Sequence, residues 1–191
     1  DSVNRGALQA RGQFLVFLNN DTVPLPGWLD AIVDTFRTYP DCGVVGGKLL
    51  FPDGTLQEAG GVVFADASGL NFGKHCDPAH PLYSFVRDVD YCSGAVLATP
   101  RVLWTEIGGF DTRFRPAYYE DTDYCFTVRS RGRRVLYQPA CQVVHLEGGT
   151  GGADITSGAK RAQVVNRSRF AVKWESELKT HFNPPEVIDV P

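Results

Sequence analysis

The stretch FLVFLNNDTVPLPGWL, residues 14–29, joins an apolar run to a polar cluster and then to a proline-led helical pattern. The short continuous apolar run from Gln13 to Leu18 predicts a strand buried on both faces in a parallel or mixed sheet. Pro26 suits the first turn of a helix, and apolar side chains then recur at helical spacing until Pro40. The polar residues in between form either a surface turn that caps the helix or a site that holds a ligand.

The rest of the chain continues this alternation of strands and helices, so the predicted fold class is α/β. Apolar runs predict further strands at residues 43–50, 60–66, 91–100 and 134–146, the last of them broken in two at Pro139. Helical patterns predict helices at residues 100–110, 118–132 and 160–180. Residues 67–90 lack periodicity and are predicted to form a long loop that is either functional or mobile.

The composition is that of a globular domain. With 191 residues, 43% hydrophobic and 12% aromatic, the chain can bury one substantial core, which predicts one domain or most of one. A net charge of -3 without a Lys/Arg-rich run argues against nucleic acid as a partner. Five cysteines without a CxxC pair argue against a disulfide framework or a zinc ribbon and favour a reducing cytosol.

The sequence also bears on location and completeness. No signal peptide opens the chain and no uncharged apolar run approaches the roughly 20 residues of a membrane span, so we expect a soluble, cytoplasmic domain. The chain has no methionine and begins inside a helical pattern, DSVNRGALQARG. We therefore expect a piece of a longer protein.

Three polar clusters are candidates for a site. Asp21 follows the first strand, at the edge where open α/β sheets bind ligands. In the acidic first turn of the helix at 118–132, helical spacing points Asp121 toward the core and Asp123 toward water. His145 closes an apolar strand. Each cluster also fits a structural role, but if Asp21 and His145 meet, a carboxylate and an imidazole suit Mn²⁺ or Mg²⁺ bound to a phosphate.

Five blocks of sequence together resemble a bacterial family 2 glycosyltransferase, of the rhamnosyltransferase-like kind with the GT-A fold. These blocks are ARGQFLVFLNNDTVPLPGWL, GGKLLFPDGTLQEAGG, DYCSGAVLATPRVLWTEIGGFD, PAYYEDTDYCFTVRSRGRRVLYQPACQVVHLEG and SGAKRAQVVNRSRFAVKW. The resemblance implies a mixed central sheet flanked by helices, with the first nucleotide-binding βαβ units missing upstream. It also implies that residues 1–191 form a single glycosyltransferase domain, as a fragment, with a C-terminal amphipathic helix at 160–180.

The resemblance also implies roles for individual residues. Asp21 and His145 match the ligands of a divalent cation, and Asp121 matches the general base that deprotonates the acceptor. Asn19 stands where the family's motif has its first acidic residue, so the site carries one charge fewer. Residues 148–152 are glycine-rich and form either a lid or a plain connector. The residues implied to line the donor and acceptor groove are Asn19, Asn20, Ser93, Gly94, Ala95, Gly109, Phe110, Asp111 and Glu120.

The predicted function is therefore inverting transfer of a sugar from a nucleoside-diphosphate-sugar to a hydroxyl of a saccharide or lipid-linked acceptor. It would serve bacterial surface polysaccharide or cell-envelope synthesis, in the cytoplasm, with a peripheral contact at the inner face of the membrane left open. Two alternatives remain at this stage. One is a catalytically silent carbohydrate-binding or scaffolding domain, and the other is a metal-dependent hydrolase that uses Asp21 and His145.

Overall fold

A central mixed sheet carries the fold in the computed structural model, which describes residues 2–146 and 158–185. Its strands run in the order β1-β8-β3-β9-β2, with β4 paired to β3 and β7 paired to β9, while β5 and β6 form a separate hairpin. The strands are β1 (Phe14–Leu18), β2 (Thr22–Pro24), β3 (Cys42–Leu50), β4 (Leu56–Glu58), β5 (Gly61–Val63), β6 (Gly69–Asn71), β7 (Arg87–Asp88), β8 (Val96–Pro100) and β9 (Arg134–His145).

Strand β3 is the centre of this sheet. All nine of its residues are buried, and it pairs in parallel with β9 and antiparallel with β8 and β4. A strand that is buried along its whole length requires cover on both faces. The mixed α/β architecture predicted from the sequence is confirmed.

Helices supply that cover. One face of the sheet packs on α2, through Ile32 and Phe36, and the other packs on α3 and α4, through Trp104 and Tyr124. A further apolar cluster joins α4 to α5 and α6 around Phe170. The helices are α1 (Ser2–Gln9), α2 (Trp28–Thr38), α3 (Arg101–Ile107), α4 (Glu120–Ser130), α5 (Gly158–Lys173) and α6 (Glu175–Leu178).

Three details differ from the sequence-based predictions. Strand β1 is not buried on both faces, because only Leu15 is buried and Leu18 is 39% exposed at the edge of the described sheet. Helix α2 begins at Trp28, after Gly27 in the left-handed conformation, rather than at Pro26. The helix predicted at 160–180 is divided at Trp174 into α5 and α6.

The predicted break in β9 takes the form of a change in register. Gly47 lies opposite Gln138 and Lys48 lies opposite Gln142, so that residues 139–141 have no partner on β3. Beyond this irregularity β9 resumes pairing and reaches the edge of the sheet where β2 begins. His145, its last residue, is thereby placed at that edge.

Within the described residues, no helix combines the length and the apolar character needed to cross a membrane.

Candidate active site

The first half of the candidate site is formed by Asp21 and His145. Strand β2 pairs antiparallel with the end of β9, with Thr22 opposite His145, and the Leu146 amide donates to the Asp21 carbonyl at 2.9 Å. This register brings the His145 Nε2 to 3.3 Å from the Asp21 Oδ1, with both side chains 15% exposed. The two residues therefore meet, as the sequence analysis required for a cation site.

One oxygen of the Asp21 carboxylate bears on the choice of ligand. Its Oδ1 is buried and has no hydrogen-bond partner among the described residues. A buried carboxylate oxygen without a partner is costly, so a positive charge there would be stabilising. An oxygen and an imidazole nitrogen are ligands that Mn²⁺ accepts, and the pair therefore fits a divalent cation. Within the described residues, no group of three or more His, Cys, Asp or Glu side chains is placed to hold a metal ion.

Asp121 forms the second half of the candidate site. It lies in the first turn of α4, where its Oδ2 accepts from the Gly94 amide at 2.8 Å and its Oδ1 accepts from the Thr122 amide at 2.7 Å. Burial raises the pKa of the Asp121 carboxyl, while these two hydrogen bonds oppose the rise. The result is a fixed carboxylate that binds a proton more tightly than a solvated aspartate does.

Two further carboxyl groups lie around Asp121. Burial, with the charge of Asp121, raises the pKa of Glu120 to about 8, and its buried Oε2 has no hydrogen-bond partner among the described residues. Glu58 is 2% exposed, accepts from the Ser93 amide at 3.2 Å, and has its pKa raised by burial to about 8. Close acidic groups in a buried place do not all ionise at once, so each of these carboxyl groups favours the neutral form of its neighbours.

The two polar segments that the sequence analysis assigned to the groove touch each other. The Asn19 amide donates to the Ala95 carbonyl at 3.1 Å, and the Ala95 amide donates to the Ser93 Oγ at 3.2 Å. Asn19 and Asn20 are both exposed. The turn after β1 and the turn before β8 are therefore in contact, with Asp21 on one segment and the Gly94 partner of Asp121 on the other.

Gly109, Phe110 and Asp111 make different contacts. Phe110 packs on Phe17, Trp104 and Tyr124, and its amide donates to the Asn4 Oδ1 at 3.0 Å. The Asp111 carboxylate accepts from Arg113 and from the Lys173 Nζ, the latter at 3.1 Å. The structure gives these residues structural partners, and their place in the groove stays a prediction.

The prediction that Asp123 faces water is wrong. Asp123 is 2% exposed, and its carboxylate accepts from the Lys173 Nζ at 2.8 Å and from the Trp174 Nε1 at 2.8 Å. Helix α5 covers the side of α4 that carries Asp123, so α4 is buried on this side as well. Burial raises the pKa of Asp123, and the hydrogen bonds from Lys173 and Trp174 oppose the rise.

Gln57 and Glu58 are site neighbours that the sequence analysis did not single out. Both are 2% exposed, and the Gln57 Oε1 lies 2.8 Å from the His145 Nδ1. A sequence signal existed, because LQEAGG places two large polar residues between a leucine and small residues. Polar side chains inside such a run need partners when buried. The glycine-rich segment 148–152, predicted to be a lid or a connector, lies outside the described residues.

A cavity of about 530 Å³ lies elsewhere, at the start of β9, and is lined by several arginines. Arg134 forms an ion pair there with Asp88 at 2.7 Å, and Arg129 forms one with Asp90 at 3.0 Å. His145 is at the other end of the same strand, so this cavity is separate from the candidate site.

The architecture defines a class of protein. GalNAc-T7, solved with UDP, GalNAc and Mn²⁺, aligns with a TM-score of 0.66 over 92% of this chain and 35% of its own, at 18% identity. The mannosyltransferase PcManGT from Pyrobaculum calidifontis, solved with GDP-Man and Mn²⁺, aligns with a TM-score of 0.54 over 96% of this chain and 44% of its own, at 16% identity. The fold is that of the GT-A glycosyltransferases.

The sequence assigns the family. Residues 1–166 match the family described as glycosyltransferase like family 2, and the chain belongs to it. The O-antigen biosynthesis protein RfbC of Myxococcus xanthus is 34% identical over a 159-residue alignment that covers 79% of this chain and 12% of that protein. The N-acetylglucosaminyl-diphospho-decaprenol L-rhamnosyltransferase of Mycobacterium tuberculosis is 27% identical over a 184-residue alignment that covers 87% of this chain and 59% of that enzyme. The chain thus spans less than two thirds of either relative.

Proposed function

We propose that this domain transfers a sugar from a nucleoside-diphosphate-sugar to a hydroxyl of a saccharide or lipid-linked acceptor, with inversion, in bacterial surface polysaccharide or cell-envelope synthesis. The observation that carries the proposal is that the turn after β1, where Asp21 lies beside His145, is hydrogen-bonded to the turn before β8, whose Gly94 amide donates to Asp121. The names of the two relatives, an O-antigen biosynthesis protein and a rhamnosyltransferase with a lipid-linked acceptor, support the process.

Asp21 and His145 would hold Mn²⁺ or Mg²⁺. Bound there, the cation would offset the negative charge that develops on the leaving diphosphate. Two protein ligands suffice for such an ion, because substrate phosphates and water commonly supply the remaining ones. GalNAc-T7 and PcManGT, the two solved structures compared above, both contain Mn²⁺, which supports this choice of ion.

Asp121 would act as the general base. Its carboxylate is held by the Gly94 and Thr122 amides, and its raised pKa suits it to take the proton from an acceptor hydroxyl. Removal of that proton lets the acceptor oxygen attack the anomeric carbon as the bond to the diphosphate breaks. A single displacement of this kind inverts the configuration. Glu120, whose buried Oε2 has no hydrogen-bond partner among the described residues, would hydrogen-bond a sugar hydroxyl nearby.

Transfer by the full-length protein tests the assignment. Asp121→Asn keeps the shape of the side chain but removes the base, so we expect kcat to fall about 100-fold or more. Asp21→Ala should weaken Mn²⁺ binding and transfer together. Asp30→Asn, which alters an exposed acid in the first turn of α2, is the matched control and should leave both unchanged.

The outcomes separate the alternatives. Full activity in both the Asp121→Asn and Asp21→Ala proteins would refute the proposed mechanism. A silent carbohydrate-binding domain would bind a donor or a saccharide but transfer nothing. A hydrolase would release the nucleotide at an undiminished rate without an acceptor, whereas a transferase requires the acceptor for its full rate. Analysis of the product's anomeric configuration tests inversion.

A further inference from the structure

Strand β4 contains a β-bulge beside the candidate site. Leu49 lies opposite Glu58 and Leu50 lies opposite Leu56, so the register shifts by one residue at Gln57. Consecutive residues of a regular strand point to opposite faces, whereas a bulge changes the direction of a side chain and often lies next to an active site. Both Gln57 and Glu58 are 2% exposed, and each contacts a different half of the site.

Gln57 determines which nitrogen of His145 carries the proton. Its Oε1 lies 2.8 Å from the His145 Nδ1, and an amide oxygen can only accept, so the Nδ1 is the donor. In the neutral imidazole, the Nε2 then presents a lone pair to the Asp21 Oδ1 at 3.3 Å. Two acceptor atoms at that distance require a proton or a cation between them. A metal-binding histidine whose other ring nitrogen donates to an outer partner has this arrangement.

Glu58 fixes the turn that anchors Asp121. Its Oε1 accepts from the Ser93 amide at 3.2 Å, and the next amide along the chain, that of Gly94, donates to the Asp121 Oδ2 at 2.8 Å. Two carboxyl groups thus hold two consecutive amides of one turn. Movement of the Ser93 amide would move the hydrogen-bond donor of Asp121 with it.

We propose that the bulge residues Gln57 and Glu58 are positioning residues. They hold the cation half of the site, Asp21 with His145, and its base half, Asp121, in one geometry. The inference rests on the proposed function, in which His145 binds the cation and Asp121 is the base. Gln57 acts through His145, and Glu58 acts through the turn at residues 93–94.

Mn²⁺ affinity tests the role of Gln57. Free Mn²⁺ is followed by electron paramagnetic resonance as each protein is titrated. Gln57→Leu removes the acceptor, and we expect its affinity to fall by roughly 10- to 100-fold, the usual effect of losing an outer partner of a histidine ligand. Gln57→Glu keeps an acceptor and should bind no more weakly than the wild type. Gln138→Leu, which removes a glutamine bonded to Thr35, is the control and should retain the wild-type affinity.

A second readout needs no metal. The chain has four histidines, so the ring nitrogens of ¹⁵N-histidine-labelled protein give few signals to assign by nuclear magnetic resonance. His145 is expected in the Nδ1–H tautomer in the wild type and in Gln57→Glu, and as a mixture of tautomers in Gln57→Leu. A wild-type His145 protonated mainly at Nε2 would overturn the role of Gln57.

Hydrogen exchange tests the role of Glu58. Glu58→Leu removes the acceptor of the Ser93 amide, so we expect that amide and the Gly94 amide to exchange at least about tenfold faster. The kcat for transfer should fall, with Mn²⁺ affinity unchanged. Glu58→Gln keeps an acceptor oxygen and should restore both exchange and kcat at neutral pH. Equal exchange and kcat in all three proteins would overturn the role of Glu58.

These experiments distinguish failure of the inference from failure of the proposed function. If Asp21→Ala abolishes Mn²⁺ binding but Gln57→Leu leaves it unchanged, the positioning role of Gln57 fails and the cation site stands. If the wild type binds no Mn²⁺, the cation part of the proposed function fails. In that case the tautomer of His145, which is measured without metal, still tests whether Gln57 determines which ring nitrogen of His145 carries the proton.

Discussion

Replacing Glu58 with glutamine is expected to stabilise the domain at neutral pH relative to the wild type. Glu58 is 2% exposed, and burial raises the pKa of its carboxyl from an ordinary 4.5 to about 8. The hydrogen bond from the Ser93 amide opposes that rise, and the charge of Asp121 adds to it. Glutamine has nearly the same shape and keeps an acceptor oxygen, but it does not ionise.

The size of the effect follows from proton binding. Between pH 4.5 and about 8 the folded protein keeps the Glu58 proton that the unfolded chain has released, so wild-type stability falls as the pH rises. The loss is about 1.4 kcal/mol per pH unit, or up to about 5 kcal/mol over the interval. The Glu58→Gln protein does not undergo this loss, because glutamine does not ionise. Above that interval the difference in the free energy of unfolding between the two proteins becomes constant.

Urea denaturation of both proteins at several pH values across this interval measures the difference. Subtracting the two free energies of unfolding cancels the titration of the shared groups that do not interact with Glu58. Glu106→Gln, which alters an exposed glutamate on α3, is the matched control for loss of a carboxyl group. A difference between Glu58→Gln and wild type that changes by less than about 1 kcal/mol over the interval would refute the conclusion that Glu58 is a buried neutral acid.

Three further predictions concern the packing around the site. Lys173→Met leaves the buried Asp123 carboxylate without its cation and should cost about 3 to 5 kcal/mol in urea denaturation, whereas Lys179→Met, in an exposed pair, should change little. Gly61→Ala places a Cβ 2.0 Å from the Tyr91 ring and should destabilise by about 1 to 3 kcal/mol, measured in the same way. Of the five cysteines only Cys76 is exposed, so a thiol reagent should modify one cysteine in the native protein and all five after unfolding.

The sequence predicts Asp21 and His145 at strand ends, because strand ends are readable from apolar runs, but it leaves open whether the two residues meet. Residues at the ends of neighbouring strands collect at one edge of a sheet, and this rule needs no side-chain detail. The same reasoning predicted a strand at β3 and the irregularity at Pro139. In each of these cases the signal lies within one element.

The errors lie where one element meets another. Helical spacing separated Asp121 from Asp123, but α5 covers the side of α4 that carries Asp123, and periodicity within α4 carries no information about α5. Gln57 and Glu58 reach the site through a change of register between β3 and β4, and register is a property of the strand pair. Long-range packing therefore decides which polar residues of this chain lie together.

The segment 19–22 is both a turn and a candidate site, and its hydrogen bonds show why these descriptions are compatible. The Thr22 Oγ1 donates to the Asn19 carbonyl at 2.6 Å, and the Asn19 amide donates to the Ala95 carbonyl at 3.1 Å. An ordinary Asx turn uses its carboxylate on its own backbone. Here the turn is held by other groups, and the Asp21 Oδ1 is left buried beside His145 without a hydrogen-bond partner among the described residues. Because a buried carboxylate oxygen without a partner is unfavourable, a positive charge at this oxygen would be stabilising, and this distinguishes the site from a simple turn.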